Sequence, residues 1–188
     1  MLKKIAIIGP ESTGKSTLCE QLAQHYNTLW CPEYARDFLM SHGMNYTYDD
    51  LLTIAKGQVE LEDRYISMLN STFQLPNTGS AHSSTHDLFL FIDTNMYVMK
   101  VWCEFVFGEC HPFILAQIVE RKYDLYLLCG VDLPWVADLL REYPDLETRK
   151  TLYTIYKTIL INQPVPWVEI SGDSEQRFKK AVASVDRL

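Results

Sequence analysis

No stretch of this 188-residue sequence approaches the roughly 20 consecutive apolar residues a membrane-spanning helix requires, which excludes a helical membrane protein. The first apolar run, Ile5 to Ile8, stops at Gly9-Pro10-Glu11. That is short of the roughly 7–15 residues of a secretory leader, so a cytoplasmic protein is expected. Positive charge is scarce: 17 Lys and Arg against 24 Asp and Glu leave a net charge of −7. Nucleic-acid binders cluster cations against phosphates, so neither a nucleic-acid partner nor a membrane partner is expected. A small anionic ligand stays open, because salt screens distant charges beyond about 8 Å and leaves a pocket to its own cations. No C-x-x-C pair occurs among Cys19, Cys31, Cys103, Cys110 and Cys129. The odd number fits reduced, packed thiols better than a disulfide framework.

What the sequence does contain is ordinary globular composition, 47% apolar and 22% charged, with no internal repeat and no linker. One domain spanning 1–188 is expected. Apolar runs at Ile5–Ile8, Leu88–Ile92, Leu125–Cys129 and Val165–Ile170 read as buried parallel strands, with Leu29–Cys31 a weaker fifth. Helical spacing follows them: Leu18, Leu22, Ala23 and Tyr26; Leu52, Ala55, Val59, Ile66 and Leu69; Leu152, Ile155, Tyr156 and Ile159 behind Asp145. Asp173 and Gln176 look like a capping pair for a final helix carrying Phe178, Ala181, Val182 and Val185. Pro112 and Pro134 each sit where a first helical turn tolerates proline. The polar segment 75–87 reads as an exposed loop; its His82, His86 and Asp87 lack the helix that ligand spacing would need.

The sharpest signal is Gly9-Pro10-Glu11-Ser12-Thr13-Gly14-Lys15-Ser16, a G-x-x-x-x-G-K-S motif between an apolar strand and an amphipathic helix. Such a loop points consecutive backbone N–H groups at phosphates, and the following helix adds its positive end, about 0.3–2 kcal/mol toward an anion. Glu11, Ser12, Thr13 and Gly14 would line the phosphates, Lys15 would reach the β- and γ-phosphates, and Thr17 would open the helix near the α-phosphate. Ser16 would hold Mg²⁺ beside ATP. The expected fold is α/β, a three-layer P-loop NTPase with a central, mostly parallel five-stranded sheet and helices on both faces.

Asp93 ends an apolar strand on the ligand edge of such a sheet, where it suits a metal, a hydroxyl group or the cap of the next helix. Glu33 and Arg36 follow the weak strand. Glu33 is a candidate base for an acceptor hydroxyl, a role Asp93 could fill as well, and Arg36 a candidate phosphate contact or a helix-surface partner of Glu33. Tyr34 and Trp102 are candidates for stacking on a planar or cationic ring. Arg141 and Arg149 flank a Pro-containing break between helices and resemble lid arginines that close over ATP.

In order along the chain, Gly-Pro-Glu-Ser-Thr-Gly-Lys-Ser-Thr, Glu33-Tyr34-Ala35-Arg36, Ile92-Asp93-Thr94, His111-Pro112-Phe113 and Trp135-Val136-Ala137-Asp138-Leu139-Leu140-Arg141 resemble the nicotinamide riboside kinase domain of the NadR family. The resemblance covers nearly the whole chain. It implies an ATP- and Mg²⁺-dependent transfer to the 5′-hydroxyl of nicotinamide riboside, a small-molecule nucleoside, giving nicotinamide mononucleotide in NAD salvage. Multidomain members carry a DNA-binding segment and an adenylyltransferase domain ahead of this region, and those activities are not expected of this sequence. Asn95 stands where some relatives have a second acid, and Leu139 where a glycine is usual. Another nucleoside or a nucleoside monophosphate as acceptor, a nucleotide-dependent regulatory ATPase and a non-catalytic sensor are the other readings. A GTPase is disfavoured by the absence of an Asn-Lys-x-Asp tetrapeptide.

Overall fold

The computed structural model describes residues 1–73 and 88–188. The loop expected at 75–87 lies outside the described residues, as do its His82, His86 and Asp87. Five parallel strands form one sheet in the order β2-β3-β1-β4-β5. They are β1 (Leu2–Ile8), β2 (Leu29–Cys31), β3 (Leu88–Asp93), β4 (Leu125–Cys129) and β5 (Trp167–Ile170). The sheet is therefore wholly parallel, and β1 lies at its centre, paired with β3 on one side and β4 on the other.

Alternation along β1 divides the core into two. Ile5 and Ile7 face α1 (Lys15–His25) and α7 (Ser174–Val185), meeting Leu18, Leu22, Ala181 and Val185. Ala6 and Ile8 face the opposite side, with Leu69 of α3 (Tyr48–Phe73), Val98 and Val101 of α4 (Met96–Phe107), and Leu152, Tyr156 and Leu160 of α6 (Leu146–Ile161). Both faces are covered, which is why these strands read as continuous apolar runs instead of alternating ones. A third cluster joins α2 (Tyr34–His42), α3, α4 and α5 (Pro112–Glu120) through Ala35, Ile54, Met99 and Ile114.

The caps follow the expected chemistry in most places. Asp173 and Gln176 form a reciprocal capping box on α7, Asp145 accepts the Thr148 N–H to start α6, and Pro112 occupies the first turn of α5. Two expectations are corrected. Pro134 starts no helix: residues 131–145 carry neither helix nor strand, because the backbone groups there are committed elsewhere, Val136 N–H to the Ser12 hydroxyl and Leu140 N–H to the Asp138 carboxylate. The helix after β3 is capped by Asn95, which accepts the Tyr97 N–H at 3.1 Å, so Asp93 is free of that duty.

The α3 stripe is also shifted. Its buried face carries Leu51, Ile54, Ala55, Gln58, Glu62 and Leu69. Two polar residues sit inside it because both are satisfied. Glu62 accepts from Lys4 at 3.0 Å, Arg121 at 3.2 Å and the Tyr123 hydroxyl at 2.9 Å, while Gln58 accepts the Tyr34 N–H and donates to the Pro32 carbonyl.

Candidate functional site

The carboxyl ends of β1, β3 and β2 deliver three groups to one edge of the sheet. The loop after β1 is forced close to its neighbour: a side chain at Gly9 (φ 142°) would place Cβ 2.7 Å from the Cys129 carbonyl oxygen of β4. Only glycine fits that approach. The loop then folds on itself, with the Thr13 hydroxyl and the Lys15 ammonium both donating to the Pro10 carbonyl, at 2.7 and 3.0 Å. Ser12 lies in the left-handed region at φ 55°, and Gly14 heads α1. The N-terminal N–H groups of α1 thus open toward the loop's concave side, where they suit an anion.

Ser16, in the first turn of α1, donates from its hydroxyl to Asp93 Oδ2 at 2.5 Å. Asp93 is 1% exposed, and its Oδ1 has no hydrogen-bond partner among the described residues. Burial, and behind it the nearby Glu33 charge, pushes the Asp93 carboxyl up to about 6, against the pull of Lys15 and the Ser16 hydroxyl. A buried carboxylate oxygen without a partner, beside a hydroxyl, is a donor set that suits a hard cation.

Thr94 follows in the left-handed region at φ 78°, an outlier for a β-branched residue, and is 1% exposed. Its hydroxyl donates to Glu33 Oε1 at 3.3 Å. The strained residue therefore ties the carboxylate after β2 to the carboxylate ending β3. Strain of this kind costs about 1–3 kcal/mol and concentrates at functional sites.

A cavity of about 460 Å³ opens over these groups. Gly9, Glu11, Ser12, Thr13, Gly14, Lys15, Ser16 and Thr17 line one side, with Glu33, Arg36 and Asp93 beside them and Arg141 above. Val98, Val101, Trp102 and Phe105 of α4 form an apolar wall. Trp102 is held in place by donating its indole N–H to the Tyr46 hydroxyl at 2.9 Å, and Tyr46 in turn donates to Glu142 at 2.7 Å.

The segment 131–145 covers the loop from above. Arg141 donates to the Ser12 hydroxyl at 3.4 Å and to the Val136 carbonyl. Glu11 Oε2 accepts the N–H groups of Glu142 and Tyr143 at 3.0 and 3.1 Å. Burial of Glu11 raises its carboxyl above the ordinary value despite these bonds. Asp138 pairs with Arg36 at 2.9 Å.

Two sequence candidates lie outside the cavity lining. The Tyr34 ring turns to α3, where a Cβ on Gly57 would come within 2.2 Å of it, so the glycine is the notch that receives the ring. Arg149 is 2% exposed and sits behind the loop, donating to the Ser12 carbonyl at 3.1 Å with its guanidinium 5.4 Å from the Trp135 ring centre. The break bearing Arg141 is also not flanked by helices on both sides, since only α6 follows it.

Sequence reasoning missed Arg177. It is 4% exposed and holds the back of the loop, donating to the carbonyls of Thr13 (3.0 Å), Gly130 (3.1 Å) and Gly172 (2.8 Å) and pairing with Asp132. The available signal was an arginine in the apolar stripe of α7, four residues before Ala181 and eight before Val185, where a cation is stable only with partners.

Comparison with known proteins agrees with this architecture. An AAA domain family model matches residues 4–177. The trifunctional NAD biosynthesis/regulator protein NadR of Salmonella typhimurium is 31% identical over 192 residues, and its Escherichia coli counterpart is also 31% identical. Each alignment covers the whole of this chain but 43% of the relative, so the chain spans less than half the length of these proteins. Among solved structures, NadR in complex with NR superposes with a TM-score of 0.76 at 21% identity, covering 98% of this chain and 49% of that one. Thymidylate kinase from Ehrlichia chaffeensis superposes at 0.67 with 14% identity, covering 98% of both chains. These likenesses establish the three-layer P-loop fold.

Proposed function

From the premise that the chain belongs to the AAA domain family, whose model matches residues 4–177, we propose that it is an ATP-dependent kinase for the 5′-hydroxyl of nicotinamide riboside, yielding nicotinamide mononucleotide and ADP. The observation that carries the reading is the meeting of Ser16 and Asp93 at 2.5 Å with Glu33 beside them, in a cavity with the phosphate loop on one wall and Trp102 on the other. Similarity to NadR along the whole chain, and the fold shared with NadR bound to NR and with NadR bound to NAD and AMP-PNP, supports ATP and a nucleoside as the two ligands.

The residues divide the work as follows. Backbone N–H groups of residues 11–17 bind the triphosphate, and Lys15 leaves the Pro10 carbonyl to contact its terminal phosphates. Ser16 and Asp93 would hold Mg²⁺, which neutralises phosphate charge when bound. Glu33 accepts the proton of the acceptor hydroxyl as the oxygen attacks the γ-phosphorus and the bond to the β-phosphate oxygen breaks. Asp93 is tied to Ser16 and fully buried, which favours Glu33 over Asp93 for this step. Arg141 lies over the loop, where a guanidinium stabilises charge on the transferring group. Trp102 lines the cavity, where an indole would suit a cationic ring, and catalysis is otherwise positioning.

The test is an ATP-consumption screen across nicotinamide riboside, thymidine, other nucleosides and their monophosphates, with Glu33→Gln alongside. Turnover is expected with nicotinamide riboside, and kcat in the variant should fall about 10²–10⁴-fold with ATP affinity retained. Turnover confined to monophosphates, or an undiminished rate in Glu33→Gln, refutes the assignment.

A further inference from the structure

We propose that Asp138 is a specificity-determining residue: by neutralising Arg36 it leaves the acceptor half of the cavity without a free cation, so the site takes a nucleoside and rejects its phosphate monoester. This rests on the kinase reading above and adds the side chain that sets the acceptor's charge state.

Among the described residues, the cations lining the cavity are Lys15, Arg36 and Arg141. Two belong to the phosphate-loop side: Lys15 donates to the Pro10 carbonyl, and Arg141 to the Ser12 hydroxyl and the Val136 carbonyl. Arg36 stands apart on α2, one turn beyond Glu33 and next to Asp37, where an incoming acceptor would meet it. Its guanidinium is already paired, Nη2 to Asp138 Oδ2 at 2.9 Å.

Asp138 is fixed in that role. Its other oxygen, Oδ1, accepts the Leu140 N–H at 3.0 Å, and these two bonds hold its carboxyl below the ordinary value. The Arg36 side chain is 52% exposed, so the pair adds little to stability and its effect is on the local field. A phosphate monoester brings about −1.5 to −2 charges at neutral pH. It would enter between Glu33, Asp37 and Asp138, with the Arg36 charge already offset by Asp138. The same arrangement disfavours retention of the phosphorylated product.

Asp138→Asn and Asp138→Ser each keep an oxygen for the Leu140 N–H while removing the charge. Calorimetric titration of wild type and both variants with nicotinamide riboside and nicotinamide mononucleotide reads the inference directly. The riboside should bind wild type more tightly than the mononucleotide. Each variant should shift the affinity ratio toward the mononucleotide by about tenfold or more, and adding Arg36→Gln to Asp138→Asn should erase that shift. An unchanged ratio in both single variants, a shift that survives without Arg36, or no riboside binding to wild type overturns the proposal. The kinase reading is judged separately, by ATP-dependent phosphorylation in the wild type. Its failure would leave the binding ratio to decide the role of Asp138.

Discussion

Replacing Arg177 with methionine isolates how much of the phosphate loop's shape is imposed from behind. The arginine is 4% exposed and donates to three backbone carbonyls, those of Thr13, Gly130 and Gly172, besides pairing with Asp132. Methionine keeps the apolar stem and removes every donor. Hydrogen bonds to charged groups contribute about 1.5–3 kcal/mol each, and an orphaned buried carbonyl costs about 1–3 kcal/mol. Recovery of the guanidinium's desolvation offsets part of this, and the Asp132 side chain, 40% exposed, rehydrates once released. The net expectation is a loss of about 3–5 kcal/mol. In urea this appears as a lower midpoint with an unchanged slope, and in a thermal melt as a fall of about 6–20 °C at roughly 2–4 °C per kcal/mol for a domain of this size. Arg177→Lys should recover only part of it, because an ammonium cannot span carbonyls on three separate segments. Affinity for an ATP analogue should fall further than stability alone dictates, since Thr13 belongs to the loop. A midpoint change equivalent to less than about 1 kcal/mol, the size of a surface pair, would mean that Arg177 does not brace the loop.

Two other expectations concern the same edge of the sheet. The Glu11 carboxyl is raised by burial, so its ionisation opposes folding: the stability it gives the ligand-free protein is complete below the ordinary glutamate range and is lost as pH rises through the elevated folded value. Glu11→Gln, which keeps an oxygen for the Glu142 and Tyr143 N–H groups, should flatten that fall in melts between pH 4 and pH 7. An identical pH dependence in the two proteins would remove Glu11 as its source. Thr94→Gly should relieve about 1 kcal/mol or more of backbone strain yet lower kcat, because the hydroxyl tie to Glu33 goes with it. Chemical denaturation and steady-state kinetics on one preparation check both halves, and a variant that is less stable and fully active contradicts the assignment.

The elements that were legible in the sequence are those whose residues act locally. The apolar runs, the capping box at Asp173 and Gln176 and the G-x-x-x-x-G-K-S loop all carry their reason within a few residues, and each forms, with β1 starting earlier, at Leu2, and β5 later, at Trp167. What escaped depended on partners far away in the chain. Glu62 and Gln58 broke the apolar stripe of α3 because their partners, Lys4, Arg121, Tyr123 and Pro32, lie far away in the chain, on β1 and in loops. Tyr34 neighbours Glu33 in sequence but turns to a notch at Gly57. The segment 131–145 has helix-compatible residues, yet its N–H groups are taken by Ser12, Glu11 and Asp138. Arg149, grouped with Arg141 by proximity, braces the Ser12 carbonyl from outside the cavity.

The strand order has a consequence for how such a protein changes over time. The loop after β1 and Asp93 at the end of β3 hang from paired central strands, whereas Arg36, Trp102 and Asp138 come from α2, α4 and an irregular segment packed over the edge. Under the proposed kinase reading, substitutions in the outer group would retune which alcohol is accepted while the strand-borne inner group keeps its place.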